Sequence, residues 1–376
     1  MSEIAIPGGL KPKSEPKEES KSSTSYATKS VEFWVSEKGV YERRRIVCQT
    51  ENGPCPIIAL INCLVLKSTP AKEFKLPEKK RLTEEQLNAL LVQYAEQYNL
   101  GNVKDDKSAM DNLQNNLATM HFGQQLNPCL FDVQKFAYGD EVFRLFDIRL
   151  VHGWILSQED LNANEEGTFE LLQKIPYYEE IADKLVERST LLESSDTEEL
   201  SEEQLDFLQK SSVIADVMMN RYSKQFLTHA GISKILEHVA PGEVLVLFRS
   251  NHFSTLFSHP ESLSLFTLVT DSGYINAGND VVWETFDDQV VETGNGELCS
   301  AHFVPTVLII QRRKEANRSQ EARDKLYAKQ LQQKENQRES RTKTSKQQHP
   351  PTRPKVSSTN KHSSRKKEEL KPCIIS

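Results

Sequence analysis

Gln49, Cys55 and His252 are side chains that together could carry out acyl transfer through a cysteine. Cys55 lies in "VCQTENGPCPIIALINCLVL", residues 47–66. Asn52-Gly53-Pro54 is a turn signal. Pro56 suits the first position of a helix, where its missing N–H has no helical partner. Ile57, Ile58, Leu60, Ile61, Leu64 and Val65 are apolar on more than one face, which predicts a buried helix. Cys55 then stands at the helix N-terminus, where the dipole and free N–H groups favour a thiolate, the attacking species. A thiol nucleophile needs a base. Among nine histidines, His252 in "RSNHFST" falls between predicted strands that could hold it rigidly. It follows Cys55 by roughly 200 residues, an ordinary gap for cysteine proteases. Gln49, six residues before Cys55, offers an amide donor to the oxyanion of a tetrahedral intermediate. Packing alone would also explain a cysteine ahead of a buried helix and a histidine in a hairpin, so the pattern by itself leaves both readings open.

The elements that must position these residues are legible in outline. Residues 1–28 are rich in Ser, Lys, Glu and Pro and read as disordered. Order is expected from about residue 29, with "VEFWV" and "RRRIVCQ" as short strands. Thr83 with Gln86 gives a capping-box start to a helix over 83–99, carrying Leu87, Leu90, Leu91 and Tyr94 at helical spacing. "FDVQKF" and "EVFRLFDIRLVHGWIL" read as strand or extended loop. Residues 157–224 are acidic and helical, a solvent-facing insertion. "GEVLVLFRSNHFSTLFSHPESLSLFTLVTDSGY" alternates as an antiparallel hairpin turning at 259–261, which pairs His252 with Leu268 and makes Thr270 its diagonal neighbour. Thr270 is the candidate to orient His252, with Asp271 as the alternative. A one-residue slip would move either to the other face.

Composition narrows the class. Hydrophobic residues make up 37% and charged residues 27% of 376, so part of the chain is globular and part is not. The longest apolar run, 56–66, falls far short of the ~20 residues of a membrane span. Six cysteines with no CxxC pair argue against a disulfide framework or a zinc site, and a reducing cytosolic setting is expected. Residues 1–310 carry 28 Lys and Arg against 47 Asp and Glu, while 311–376 carry 19 against 7. An acidic body with a basic tail suggests different partners for the two parts.

The blocks "QTENGPCP", "HGW", "FRSNHFST", "LVTDSGY" and "VVWE" occur in an order that closely resembles the MINDY deubiquitinases, over residues 31–304. The resemblance implies an α+β, papain-like cysteine protease fold over 29–310, with a central buried helix carrying the nucleophile, packed on an antiparallel sheet. It implies Cys55 as nucleophile, His252 as general base and Gln49 as oxyanion donor, with no cofactor. A threonine in the "VTD" block favours Thr270. The substrate implied is polyubiquitin, with lysine-48-linked chains preferred and longer chains trimmed. Ubiquitin contacts carried over are Asp132, Val133, Trp154 and Phe248, and nucleic acid is not an expected partner. Thr50 departs from the family's usual asparagine, and the insertion at 157–224 aligns poorly, which leaves the proximal ubiquitin unplaced.

Residues 311–340 are helix-prone. Leu326, Ala328 and Leu331 are read near one face, as in a degenerate ubiquitin-interacting helix that lacks the acidic flank. Residues 341–376 form a basic tail closing on Cys373-Ile374-Ile375-Ser376, a CaaX pattern of the farnesyl type. A single lipid plus a basic stretch meets the two-signal requirement for anionic membrane. The expectation is a cytoplasmic enzyme tethered to a membrane face through Cys373.

Overall fold

A computed structural model describes residues 24–346, apart from 36–37, 51–52, 54, 122, 159–165, 195–199 and 219–225. Cys373 therefore lies outside the described residues. The chain divides after Ile310 into two units.

The first unit opens with strands β1 (Ser25–Val35) and β2 (Val40–Val47), an antiparallel pair. Helix α1 (Cys55–Leu66) follows. Strand β3 (Arg81–Thr83) pairs with the other edge of β1, giving the order β2-β1-β3. Thr83 caps helix α2 (Glu84–Gln97) through the reciprocal capping box with Gln86 that the sequence signalled. Helices α3 (Lys107–Met120) and α4 (Glu141–Leu145) lead to strand β4 (Leu150–His152). Helices α5 (Glu166–Lys174), α6 (Tyr178–Ser194), α7 (Glu202–Asp216) and α8 (His229–His238) come next. Strands β5 (Val244–Arg249), β6 (His252–Ser258), β7 (Leu265–Leu268), β8 (Trp283–Thr285) and β9 (Leu298–Cys299) complete a sheet ordered β4-β5-β6-β7-β8-β9, with α9 (Asp288–Thr293) between the last two. Every pairing in it is antiparallel except β4 with β5. The sheet is thus mixed rather than purely antiparallel, because the chain crosses over through α5–α8 before adding β5.

Helix α1 is the hub. Every residue from Pro56 to Leu66 is buried, against β5 and β6 on one side and β2 on another. Burying each large aliphatic side chain contributes about 1.5–3 kcal/mol. Asn62 is the polar exception. Its amide accepts from Val47 N–H at 2.8 Å and donates to Val47 C=O at 3.0 Å, tying the end of β2 to the helix. Asn62→Leu keeps the volume but strands two buried backbone groups. It is expected to lower stability by about 3 kcal/mol, read as a fall in the denaturant midpoint at constant m-value.

The acidic insertion differs from the solvent-facing expectation. Leu172 of α5, Ile181 of α6 and Ile214 of α7 build a core of their own with Leu130, Trp154 and Leu156. Polar outer faces dominate its composition, which conceals the sparse apolar positions. "EVFRLFDIRLVHGWIL" resolves into the short helix α4 and β4 rather than continuous strand.

The second unit continues helix α10 (Thr306–Lys346), whose described side chains beyond Ile310 are exposed. At 100° per residue, Leu331 shares its face with Tyr327 and Ala328, and Leu326 points elsewhere. The single Leu-Ala-Leu face read from sequence is therefore not formed. No described helix is long and apolar enough to cross a membrane.

Candidate active site

Cys55 is the first residue of α1 and is half-buried. The backbone N–H of Phe253, left free because β6 pairs with β7 only from Leu256 onward, favours the Cys55 thiolate. The N–H of Cys55 itself, which donates to Gly53 C=O at 2.8 Å, acts in the same direction. Burial outweighs both and pushes the Cys55 thiol above the ordinary cysteine range. The helix N-terminus was expected to favour the thiolate. In the free protein, loss of solvent wins. Cys48 and Cys63 are buried, and desolvation pushes them to about 11 and about 12.

His252 opens β6 after a two-residue turn, Ser250-Asn251, with φ of 51° and 58°. Two left-handed residues make the tight turn that suits the twist of paired strands, and asparagine tolerates that conformation. The turn sets His252 directly opposite Arg249. His252 is exposed, yet enough protein surrounds it that burial, and then the Arg249 charge, hold its imidazole below the usual histidine range. Among the described residues no hydrogen bond joins Cys55 to His252. The resting pair is a neutral thiol and a neutral imidazole.

Gln49 is stitched to the segment after β7. Its N–H donates to Thr270 C=O at 2.7 Å, and its C=O accepts from Ser272 N–H at 3.0 Å. Its side-chain Nε2 donates to Gly53 C=O at 3.2 Å. Gln49, His252 and Thr270 line one cavity of about 1150 Å³, with Arg249, Asp271 and Glu284.

The hairpin register differs from expectation. His259 N–H bonds Ser264 C=O, and the ladder pairs Leu256 with Thr267. The turn is longer than 259–261, so the same ladder continued back to His252 points to Asp271 and not to Leu268. Thr270 reaches the cavity through its tie to Gln49 instead. The Asp271 carboxylate accepts from Gly273 N–H at 2.7 Å, capping the 3₁₀ segment Ser272–Asp280.

Of the residues expected to touch ubiquitin, Trp154 and Phe248 lie beside this cavity, and Asp132 and Val133 line neither it nor its neighbour. Trp154 and Phe248 are 6% and 9% exposed, and each shows a face to a cavity of about 150 Å³ shared with Arg249, Ser250 and Asn251. They are core residues and cavity walls at once. Val133 is buried, and Asp132 is exposed, its carboxylate accepting from Gln134 N–H at 2.9 Å. His152 is fully enclosed, and desolvation lowers it to about 4. Arg249 is the residue that sequence reasoning passed over. It was visible as the one charge ending the apolar run "VLVLF".

A thiol heading a buried helix, beside a histidine hairpin and a backbone-tethered glutamine, has the layout of a cysteine-type hydrolase. A model of the MINDY deubiquitinase family matches residues 24–303, and the chain belongs to that family. An uncharacterised protein of Schizosaccharomyces pombe is 53% identical over 292 residues, 78% of this chain and 77% of its own. Human ubiquitin carboxyl-terminal hydrolase MINDY-2 is 31% identical over 283 residues, 72% of this chain but 40% of its own. Ubiquitin carboxyl-terminal hydrolase MIY1 of Saccharomyces cerevisiae is 29% identical over 276 residues, 70% of this chain and 68% of its own. The match thus spans less than half of human MINDY-2.

Proposed function

We propose that this protein hydrolyses isopeptide bonds in polyubiquitin by acyl transfer through Cys55. The observation that carries the reading is the meeting of Gln49, His252 and Thr270 on one cavity, with Cys55 heading α1 near the backbone of Phe253, the residue after His252. His252 takes the thiol proton as Cys55 attacks the carbonyl, and Gln49 donates to the oxyanion. For that, the Gln49 amide exchanges Gly53 for substrate. His252 then gives its proton to the leaving lysine amine and activates water for deacylation. Thr270 orients the imidazole. Asp132, Val133, Trp154 and Phe248 hold the distal ubiquitin, Trp154 and Phe248 through the small cavity behind the His252 turn. The preference for lysine-48 linkage and the trimming of longer chains rest on the resemblance to the family.

Ubiquitin bearing a C-terminal electrophile tests this. The wild-type chain is expected to form an adduct and Cys55→Ala none. A second reading, a ubiquitin-binding adaptor with weak catalysis, draws on the neutral, unbonded Cys55 and His252. Binding of chains with neither adduct nor cleavage would select it, and absence of any interaction with ubiquitin would sink both.

Where Ser376 closes the mature chain, Cys373 is proposed to carry a farnesyl group that holds the enzyme at a cytoplasmic membrane face together with the basic tail. Mass spectrometry of the C-terminal peptide from cells is expected to show the added lipid, absent in Cys373→Ser. An unmodified Cys373 would end the proposal.

A further inference from the structure

Arg249 ends β5 and faces His252 across the turn. β5 is otherwise apolar and buried, and a guanidinium removed from water is costly unless fully paired. This one is not. Nη2 donates to Gly294 C=O at 3.0 Å, while Nη1 is buried with no partner. The nearby carboxylate, Glu284 of β8, accepts from Gly296 N–H at 2.8 Å. Residues 294–296 are thus bracketed by Arg249 from one strand and Glu284 from another. Their path has little freedom, since Gly294 sits at φ 86° and a Cβ on Gly296 would meet Thr285 C=O at 1.9 Å. Arg249 also stands in the wall between the two cavities described above. A purely structural role would be served better by an apolar residue here.

We propose that Arg249 is a positioning residue for His252, whose guanidinium clamps the base of the turn to the 294–296 loop and sets a fixed positive charge against the imidazole. The charged and titratable groups that line the cavity with that imidazole are Arg249 from β5, Asp271 and Tyr274 from the segment after β7, and Glu284 from β8, while Cys55 at the head of α1 is not among its lining residues. Asp271 and Glu284 are each engaged by a backbone N–H. Arg249 is the permanent cation among the described residues lining the cavity. A cation beside an imidazole disfavours its protonated form, which agrees with the lowered value at His252. The base stays free at neutral pH and ready to take the Cys55 proton when substrate draws the two together.

The proposal deepens the deubiquitinase reading, and its test does not depend on ubiquitin. The His252 imidazole is titrated by NMR in the full chain carrying Cys55→Ala, alone and with Arg249→Gln, Arg249→Met or Arg249→Lys. The two neutral replacements are expected to raise the His252 midpoint by about half to one pH unit, and lysine to hold it near the parent value. In the Cys55 enzymes, the acidic limb of kcat/KM for chain cleavage follows, since that limb reports the base in the free enzyme. Either neutral variant that folds is sufficient. An unchanged His252 midpoint in it overturns the role of Arg249 whether or not the chain cleaves ubiquitin. A missing adduct with the ubiquitin electrophile fails the parent reading and leaves this result standing.

Discussion

Cys55→Ala is expected to abolish adduct formation with a ubiquitin electrophile and to lower chain cleavage by at least about 10⁴-fold, with the fold intact. The size follows from the chemistry, because removing the nucleophile leaves only the binding surfaces and the oxyanion donor, and these catalyse little alone. The intact fold follows from the packing. Cys55 is half-buried at the head of α1, whereas the apolar contacts that hold the helix are made from Pro56 to Leu66. The loss is one sulfur, expected to change stability by less than about 1 kcal/mol. A melting profile that matches wild type, beside a silent adduct assay, is the expected pair of results. Cleavage that survives in the alanine protein would remove Cys55 from the mechanism.

His252→Ala is expected to lower cleavage by about 10³–10⁴-fold, as the loss of the proposed general base would. Its effect on the free protein is different. No hydrogen bond joins His252 to Cys55 among the described residues, and the upward push on the thiol comes from burial. Alkylation of Cys55 by iodoacetamide in the absence of ubiquitin is therefore expected to be slow at neutral pH. Since the thiol ionises above the ordinary cysteine range, the rate climbs through the alkaline range. The same climb is expected in His252→Ala. A preformed thiolate–imidazolium pair would give the opposite pattern, with fast alkylation well below pH 7 that disappears with the histidine. That outcome would show a site already aligned before substrate arrives.

Parts of this arrangement were readable from sequence because they rest on local rules. Pro56 and an apolar run with no polar face announce a buried helix with a cysteine at its head. Thr83 and Gln86 spell their own cap, and they form it. The tight turn at Ser250-Asn251 was not among them, since the alternation of "VLVLFRSNHFST" hides the two left-handed residues that divide β5 from β6. The register of β6 on β7 was harder. The turn over 259–264 needs Leu263 at φ 56°, a conformation that nothing in "HPESLS" advertises. An error of that kind displaces every residue opposite His252, which is why Leu268 was paired with it. The core of the insertion was hidden for a different reason: its apolar residues meet only when α5, α6 and α7 assemble with Trp154. Arg249 stood out as a charge ending an apolar strand, but its partners, Gly294 and His252, one distant along the chain, were not legible.

The backbone bonds of Gln49 with Thr270 and Ser272 carry a consequence for synthesis on the ribosome. The Cys55 thiol and Gln49 leave the exit tunnel early, and the strand that carries His252 and the segment that braces Gln49 emerge roughly 200 residues later. At about 5–20 residues per second that delay is about 10–40 s. A nascent chain in that interval exposes the apolar α1 sequence with no sheet to cover it, and carries a thiol without a base. The enzyme is thus inert through its own translation, and its most hydrophobic segment is then a natural client for chaperones.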